Sequence, residues 1–234
     1  MEQSGGFATL GYLNQEVLKV PNVEWKTKTP FASIRRIVQD ERFFFKIKPG
    51  LWALRSQKDK LPPEIFPTDI ITKPEQELFN HSYYQGLLVE IGNLKKYETF
   101  VPSQDKNRRF LGKTLGEICS ITNFYQFGYD QMVRKAKTVD VSWFNIRKMP
   151  SVLFEVEHST DIQNSLLKFV ELQDYNANFF IVADKVRKAE YAGKLALNAF
   201  VPIKSRVQFI DYDKLSDWHT KTFEIVTIEN NITL

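Results

Sequence analysis

Two blocks of patterned sequence are separated by a proline-rich stretch. In residues 7–18, F-A-T-L-G-Y-L-N-Q-E-V-L, Leu10, Leu13, Val17 and Leu18 fall at the spacing of one helical face. A Lys- and Thr-rich loop runs from Trp25 to Pro30, where Thr29 can cap and Pro30 can open a second helix. That helix, F-A-S-I-R-R-I-V-Q-D, would bury Phe31, Ile34, Ile37 and Val38 and present Ser33, Arg35, Arg36 and Gln39 outward. The alternation of Phe43, Phe45 and Ile47 predicts a strand, Pro49-Gly50 a tight turn, and Leu51 to Leu54 a return strand. Residues 57–76 hold four prolines and little periodicity, so they read as a linker.

The second block opens with a long helix from Glu77 to Lys96, its apolar face made by Leu78, Tyr84, Leu87, Leu88, Ile91 and Leu94. A strand at Glu98–Val101 and the polar loop S-Q-D-K-N-R-R follow. Residues 110–121 read as a short helix or irregular chain, and Tyr129 to Lys137 as irregular. Two neighbouring strands come next, at 138–144 and 151–157, with Asn145 to Pro150 as the turn. The pattern then gives a helix from Asp161 to Leu172, capped by Ser159 or Thr160, and a buried strand at 178–184. A basic helix at Val186–Ala199, a strand near Arg206–Ile210 and a helix near Asp213–Phe223 follow, and residues 224–234 read as a tail or edge strand. This order implies an α/β domain whose mixed sheet is flanked by helices.

Composition narrows the class. The chain is 43% apolar and 26% charged over 234 residues, enough for a sizeable core. No apolar run approaches the ~18 residues that span a bilayer, and the start M-E-Q-S-G-G-F lacks a leader's basic and apolar regions, so a cytoplasmic protein is expected. The single cysteine, Cys119, excludes an internal disulfide and any cysteine-based zinc site. His81, His158 and His219 are scattered, which argues against a transition-metal cluster. Residues 1–60 carry eleven Lys and Arg against six Asp and Glu, whereas the remainder is near neutral, the asymmetry of a polyanion-binding module joined to something else.

Candidate chemistry centres on P-S-V-L-F-E-V-E, where Glu155 and Glu157 share one face of a buried strand and Asp140 precedes them in V-D-V-S-W. Buried acids are costly unless their charge is offset. If the hairpin register sets Asp140 opposite Glu155, the carboxylates converge as hard oxygen ligands suited to Mg²⁺ or Mn²⁺. His158 falls on the opposite face, and Trp143 and Phe154 read as core. The other reading of the acids is as salt-bridged groups of a catalytically dead fold.

Asp140 on one strand, Glu155-Val156-Glu157 on the next and a helix after them resemble the PD-(D/E)XK nuclease superfamily in its E-x-E form. The resemblance covers roughly residues 77–212. It implies a metal site at Asp140, Glu155, Val156 and Glu157, with Glu157 where a lysine is usual and Lys168 on the following helix able to restore the positive charge. It also implies a further acid or glutamine from the preceding helix, by position Glu90 and less directly Gln85. Residues T-P-F-A-S-I-R-R and F-F-F-K-I-K-P-G-L-W-A-L resemble the HARE-HTH family of winged helices, over roughly residues 7–56. There Ser33, Arg35, Arg36, Lys46 and Lys48 would contact DNA. That family's first helix has no counterpart in the six residues before Phe7, so it is missing or replaced.

The expected layout is therefore a winged helix at 1–57, a linker at 58–76 and a restriction-endonuclease-like domain at 77–234. The expected function is a metal-dependent endonuclease, a type II restriction enzyme cutting duplex DNA as a homodimer without an organic cofactor. The alternatives are a repair or modification-dependent nuclease, and a non-catalytic DNA-binding protein that retains the fold.

Overall fold

A computed structural model of the chain describes residues 1–23, 25–66 and 72–232. It divides into two units, Met1–Gln76 with Ser216–Leu234, and Glu77–Leu215.

In the first unit β1 (Phe7–Thr9) leads into α1 (Leu10–Glu16), followed by α2 (Pro30–Val38), β2 (Phe44–Lys48) and β3 (Leu51–Leu54). The strands form an antiparallel sheet in the order β1-β3-β2. The helix expected over 7–18 begins only at Leu10, because Phe7 to Thr9 pair with Leu51 to Ala53. Thr9 caps α1, its Oγ1 accepting from the Tyr12 N–H at 3.2 Å. Pro30 opens α2 as expected, but Thr29 makes no side-chain cap; its hydroxyl lies 3.3 Å from that of Thr27. Ile34 and Val38, one turn apart, are buried, Phe31 is half-buried and Ile37 is 51% exposed. Ile37 lies about 60° round the helix from Ile34 and so clears the core. The expected linker holds a 3-10 turn at Arg55–Lys60 and the start of the next helix; its residues 67–71 lie outside the described residues.

The second unit is built from α3 (Lys73–Leu94), β4 (Glu98–Phe100), a ribbon of β5 (Arg109–Phe110) and β6 (Lys113–Thr114), α4 (Leu115–Ile118), α5 (Asp130–Ala136), β7 (Val141–Phe144), β8 (Pro150–Glu157), α6 (Ile162–Glu171), β9 (Asn178–Ala183), α7 (Lys188–Leu195) and β10 (Val207–Asp211). Five strands form a mixed sheet in the order β10-β9-β8-β7-β4. β4, β7 and β8 pair antiparallel; β8, β9 and β10 pair parallel. Parallel neighbours need a crossover, and α6 and α7 supply the two here. On one face Leu166, Phe169 and Leu172 pack with Leu153, Phe179 and Ile181. Elsewhere α3 is buried almost all round from Ser82 to Gly92, and the Trp143 indole N–H donates to the Leu88 carbonyl at 3.1 Å.

Several elements differ from expectation. Residues 130–136 form α5, whose inward side is only Val133 and Ala136, too short a periodicity to register in sequence. The 110–121 stretch holds the ribbon and α4, which starts on a Thr114–Glu117 capping box. Asp161 caps α6, accepting from the Gln163 N–H at 2.9 Å, because the Thr160 hydroxyl is engaged by Glu157.

The last helix, α8 (Tyr212–Ile232), runs through the expected tail. From Ser216 onward it clusters with the N-terminal unit. Gly11 lies against it so closely that a Cβ there would sit 2.8 Å from the Phe223 ring. Asn14 Nδ2 donates to Glu224 Oε1 at 3.0 Å. Among the described residues no helix is long and apolar enough to cross a membrane.

Candidate active site

The β7–β8 hairpin sets the geometry. Val141 pairs with Phe154, so the next step brings Asp140 opposite Glu155. Asp140 is fixed at the strand end because its Oδ2 accepts from the Val156 N–H at 2.7 Å. Strand alternation puts Glu155 and Glu157 on one face, 2% and 4% exposed. α6 covers that face and brings donors at a helical spacing of three, Ser165 and Lys168. Lys168 Nζ donates to both oxygens of Glu155, at 2.9 and 2.8 Å, and to the Thr138 carbonyl at 3.2 Å. The Ser165 hydroxyl donates to Glu155 Oε2 at 3.1 Å and also to Glu157 Oε1, while Thr160 donates to Glu157 Oε2.

The charges do not balance within this group: three carboxylates face one ammonium. Burial and the charge of Asp140 push the Glu155 carboxyl well above the usual range, further than Lys168 pulls it back. Burial likewise raises Glu157 to about 7, against the hydrogen bond from Ser165. Burial alone would lower Lys168, but the carboxylates outweigh it, Glu155 first, and hold it above its ordinary value.

Asp140 has a second set of neighbours. His81 and Gln85, one turn apart on α3, face it, with Asp105 from the loop after β4. His81 Nε2 is 3.6 Å from Asp140 Oδ2. Gln85 Nε2 donates to Asp105 Oδ2 at 2.8 Å and to the Asp140 carbonyl at 3.1 Å. Donor atoms of His81, Asp105 and Asp140 lie within 4.8 Å of one another, a set that could hold a metal ion. His81 is thus not an isolated histidine, as its place in the sequence suggests. The Asp140 hydrogen bond and charge outweigh burial and raise its imidazole above the ordinary value.

Glu90 is half-buried on α3, five residues beyond Gln85 and so about 140° round the helix from it. His158 lies on the face opposite Glu155 and Glu157, with Nδ1 2.7 Å from the Tyr212 hydroxyl. Tyr212 also donates to the Glu157 carbonyl at 3.2 Å and stacks on Tyr84 at 3.8 Å between ring centres.

Residues 60–230 match the family model described as the type II restriction enzyme NmeDI C-terminal domain. The chain belongs to that family. No curated protein and no solved structure matches it. Membership makes this a restriction endonuclease domain and DNA its substrate class. The span of the NmeDI-type domain takes in the carboxylate group, Lys168, His81, Asp105 and most of α8.

Residues before 60 lie outside the NmeDI-type match and carry the expected DNA contacts. Arg36 and Lys46 are exposed, and Ser33 and Lys48 half-buried. Ser33 donates to the Thr29 carbonyl at 3.4 Å. Burial lowers Lys48 to about 8. Arg35 reaches Glu224 of α8 at 3.7 Å, and that carboxylate also takes the Asn14 amide and the Lys221 ammonium.

Proposed function

We propose that the chain is a metal-dependent endonuclease of the PD-(D/E)XK type in its E-x-E form, cutting duplex DNA at Asp140 and Glu155. The observation that carries this reading is the excess of carboxylate over ammonium at the end of the β7–β8 hairpin, with Lys168 held on Glu155. The order α3-β4-β7-β8-α6-β9, antiparallel and then parallel, supports the same superfamily.

The residues present fit a divalent cation, since buried oxygen donors with surplus negative charge are what such an ion neutralises. Asp140 and Glu155 would hold Mg²⁺ or Mn²⁺, with Val156 offering only its backbone carbonyl. His81 and Asp105 are further donors that share Asp140. When bound, the ion would polarise the scissile phosphate and ease deprotonation of the attacking water.

The chain's own groups do the rest. The Val156 N–H orients the Asp140 carboxylate. Ser165 and Lys168 orient Glu155, and Lys168 places a positive charge where Glu157 cannot. Glu157, with its raised pKa, can hold or release a proton near neutrality.

The first unit is read as a winged helix in which Ser33, Arg35, Arg36, Lys46 and Lys48 meet DNA, with the 216–232 part of α8 standing where the family's first helix would be. A homodimer would supply one site for each strand.

Digestion of a sequenced plasmid with end mapping tests the reading. Discrete ends are expected from the wild type. Asp140→Ala and Glu155→Ala are each expected to lose at least about a thousandfold in rate, since metal ligation contributes several kcal/mol. Wild-type cutting by either variant would remove that residue from the centre. Cutting confined to methylated or branched DNA would point to a modification- or structure-dependent nuclease.

A further inference from the structure

Between β4 and β7 the chain does not turn straight back; it sends out the β5–β6 ribbon. Leu111 and Gly112 join its strands with φ of 49° and 87°, the two left-handed residues of a tight hairpin turn. The segment Lys106 to Lys113 carries four cations, Lys106, Arg108, Arg109 and Lys113.

Two of the four are engaged in the fold. Lys106 donates to the Thr122 carbonyl at 2.5 Å and lies over the Phe100 ring at 4.9 Å. Arg108 pairs with Asp105 at 3.0 Å. The other two, Arg109 and Lys113, flank the turn and are exposed, Arg109 donating within the turn to the Gly112 carbonyl at 3.4 Å. The nearby carboxylate of Glu117 is turned to Thr114, accepting from its N–H at 2.6 Å and its hydroxyl at 2.9 Å.

The ribbon is anchored beside the carboxylate centre. Phe110 is 3% exposed and seats on Gly86 of α3, where a Cβ would meet its ring at 2.1 Å. Tyr83 flanks the same ring at 6.0 Å. Behind it Asp105 accepts from Gln85, which also donates to the Asp140 carbonyl, so the ribbon's root is tied to the main chain of a candidate catalytic acid. Leu115 and Gly116 N–H groups close the root on Arg108 and Lys106 carbonyls, each at 2.9 Å.

The register pairs Phe110 with Lys113 and Arg109 with Thr114, so the two exposed cations stand on opposite faces of the braced ribbon, one on each side to meet a polyanion's phosphates. We infer that the β5–β6 ribbon is a backbone clamp of the nuclease unit, with Arg109 and Lys113 gripping phosphates of duplex DNA beside the Asp140–Glu155 centre. This rests on the reading that DNA is cut at that centre. It assigns the ribbon to phosphate contact and not to base reading.

The test is binding of a random-sequence duplex by fluorescence anisotropy, without added divalent metal, over a salt series. Each of Arg109→Ala and Lys113→Ala is expected to flatten the slope of log affinity against log salt by about 1 and to weaken low-salt binding roughly tenfold. The double variant should lose about 2 in slope, while Lys204→Ala, an exposed lysine elsewhere in the same unit, changes neither. A double variant that binds like the wild type overturns the clamp. So does one that keeps random-duplex affinity but cuts at altered sequences, which would make the ribbon a base reader. A wild type that binds no duplex at all removes the nuclease reading too, so the two failures are distinguishable.

Discussion

Lys168→Met is expected to lose cleavage by at least about a hundredfold and to lower stability by about 3 kcal/mol at neutral pH. Both effects have one origin. Lys168 is the ammonium that touches both oxygens of Glu155, a side chain only 3% exposed. Without it Glu155 faces Asp140 and Glu157 with no cation bonded to it, and removing one partner of a buried pair costs more than the pair contributes. Glu155 would then take up a proton, since burial already raises its pKa, and a neutral carboxyl is a poor metal ligand. The double variant Glu155→Gln/Lys168→Met is expected to regain most of the stability and none of the cleavage. Chemical denaturation and single-turnover rates on the wild type, Lys168→Met, Glu155→Gln and the double variant measure this. Full cleavage by Lys168→Met would confine the lysine to a structural role.

Gly86→Ala is expected to destabilise the second unit by about 3 kcal/mol, at the upper end of overpacking effects. The new Cβ would lie 2.1 to 2.5 Å from three Phe110 ring atoms, and that ring cannot retreat without lifting the ribbon off α3. Gly193, in α7, has nothing within 4 Å of its Cβ position, so Gly193→Ala should stabilise by about 0.5–1 kcal/mol through helix propensity alone. Thermal unfolding of the two variants checks the contrast. An unchanged melting temperature for Gly86→Ala would mean that the ribbon is not seated on the helix.

The longer helices, the strands of the five-stranded sheet and the carboxylate pair were legible because each rests on local periodicity. Alternation along V-L-F-E-V-E puts Glu155 and Glu157 on one face whatever surrounds them. Lys168 was picked out through the family resemblance, as a cation on the helix after the strand, whereas Ser165, one turn before it on α6, was not. His81 and Asp105 were not: they approach Asp140 from α3 and from a loop, separated from it by dozens of residues. The His81 and Gln85 spacing of four was the one available sign. The extension of α8 to Ile232 was missed for the same reason, since its partners Gly11 and Asn14 lie some two hundred residues away. α1 was read too long because Phe7 to Thr9 satisfy helical spacing and strand pairing equally well, and only β3 decides between them.

The most direct measurement is cleavage of plasmid DNA by the wild type and by Asp140→Asn, each with Mg²⁺ supplied or with all divalent metal chelated. The wild type should cut both strands only when metal is present, and Asp140→Asn, which keeps the size of the side chain but not its charge, should leave the plasmid intact in both conditions. Cutting by the wild type under chelation, or by Asp140→Asn at the wild-type rate, would contradict a metal-dependent centre at the end of the β7–β8 hairpin.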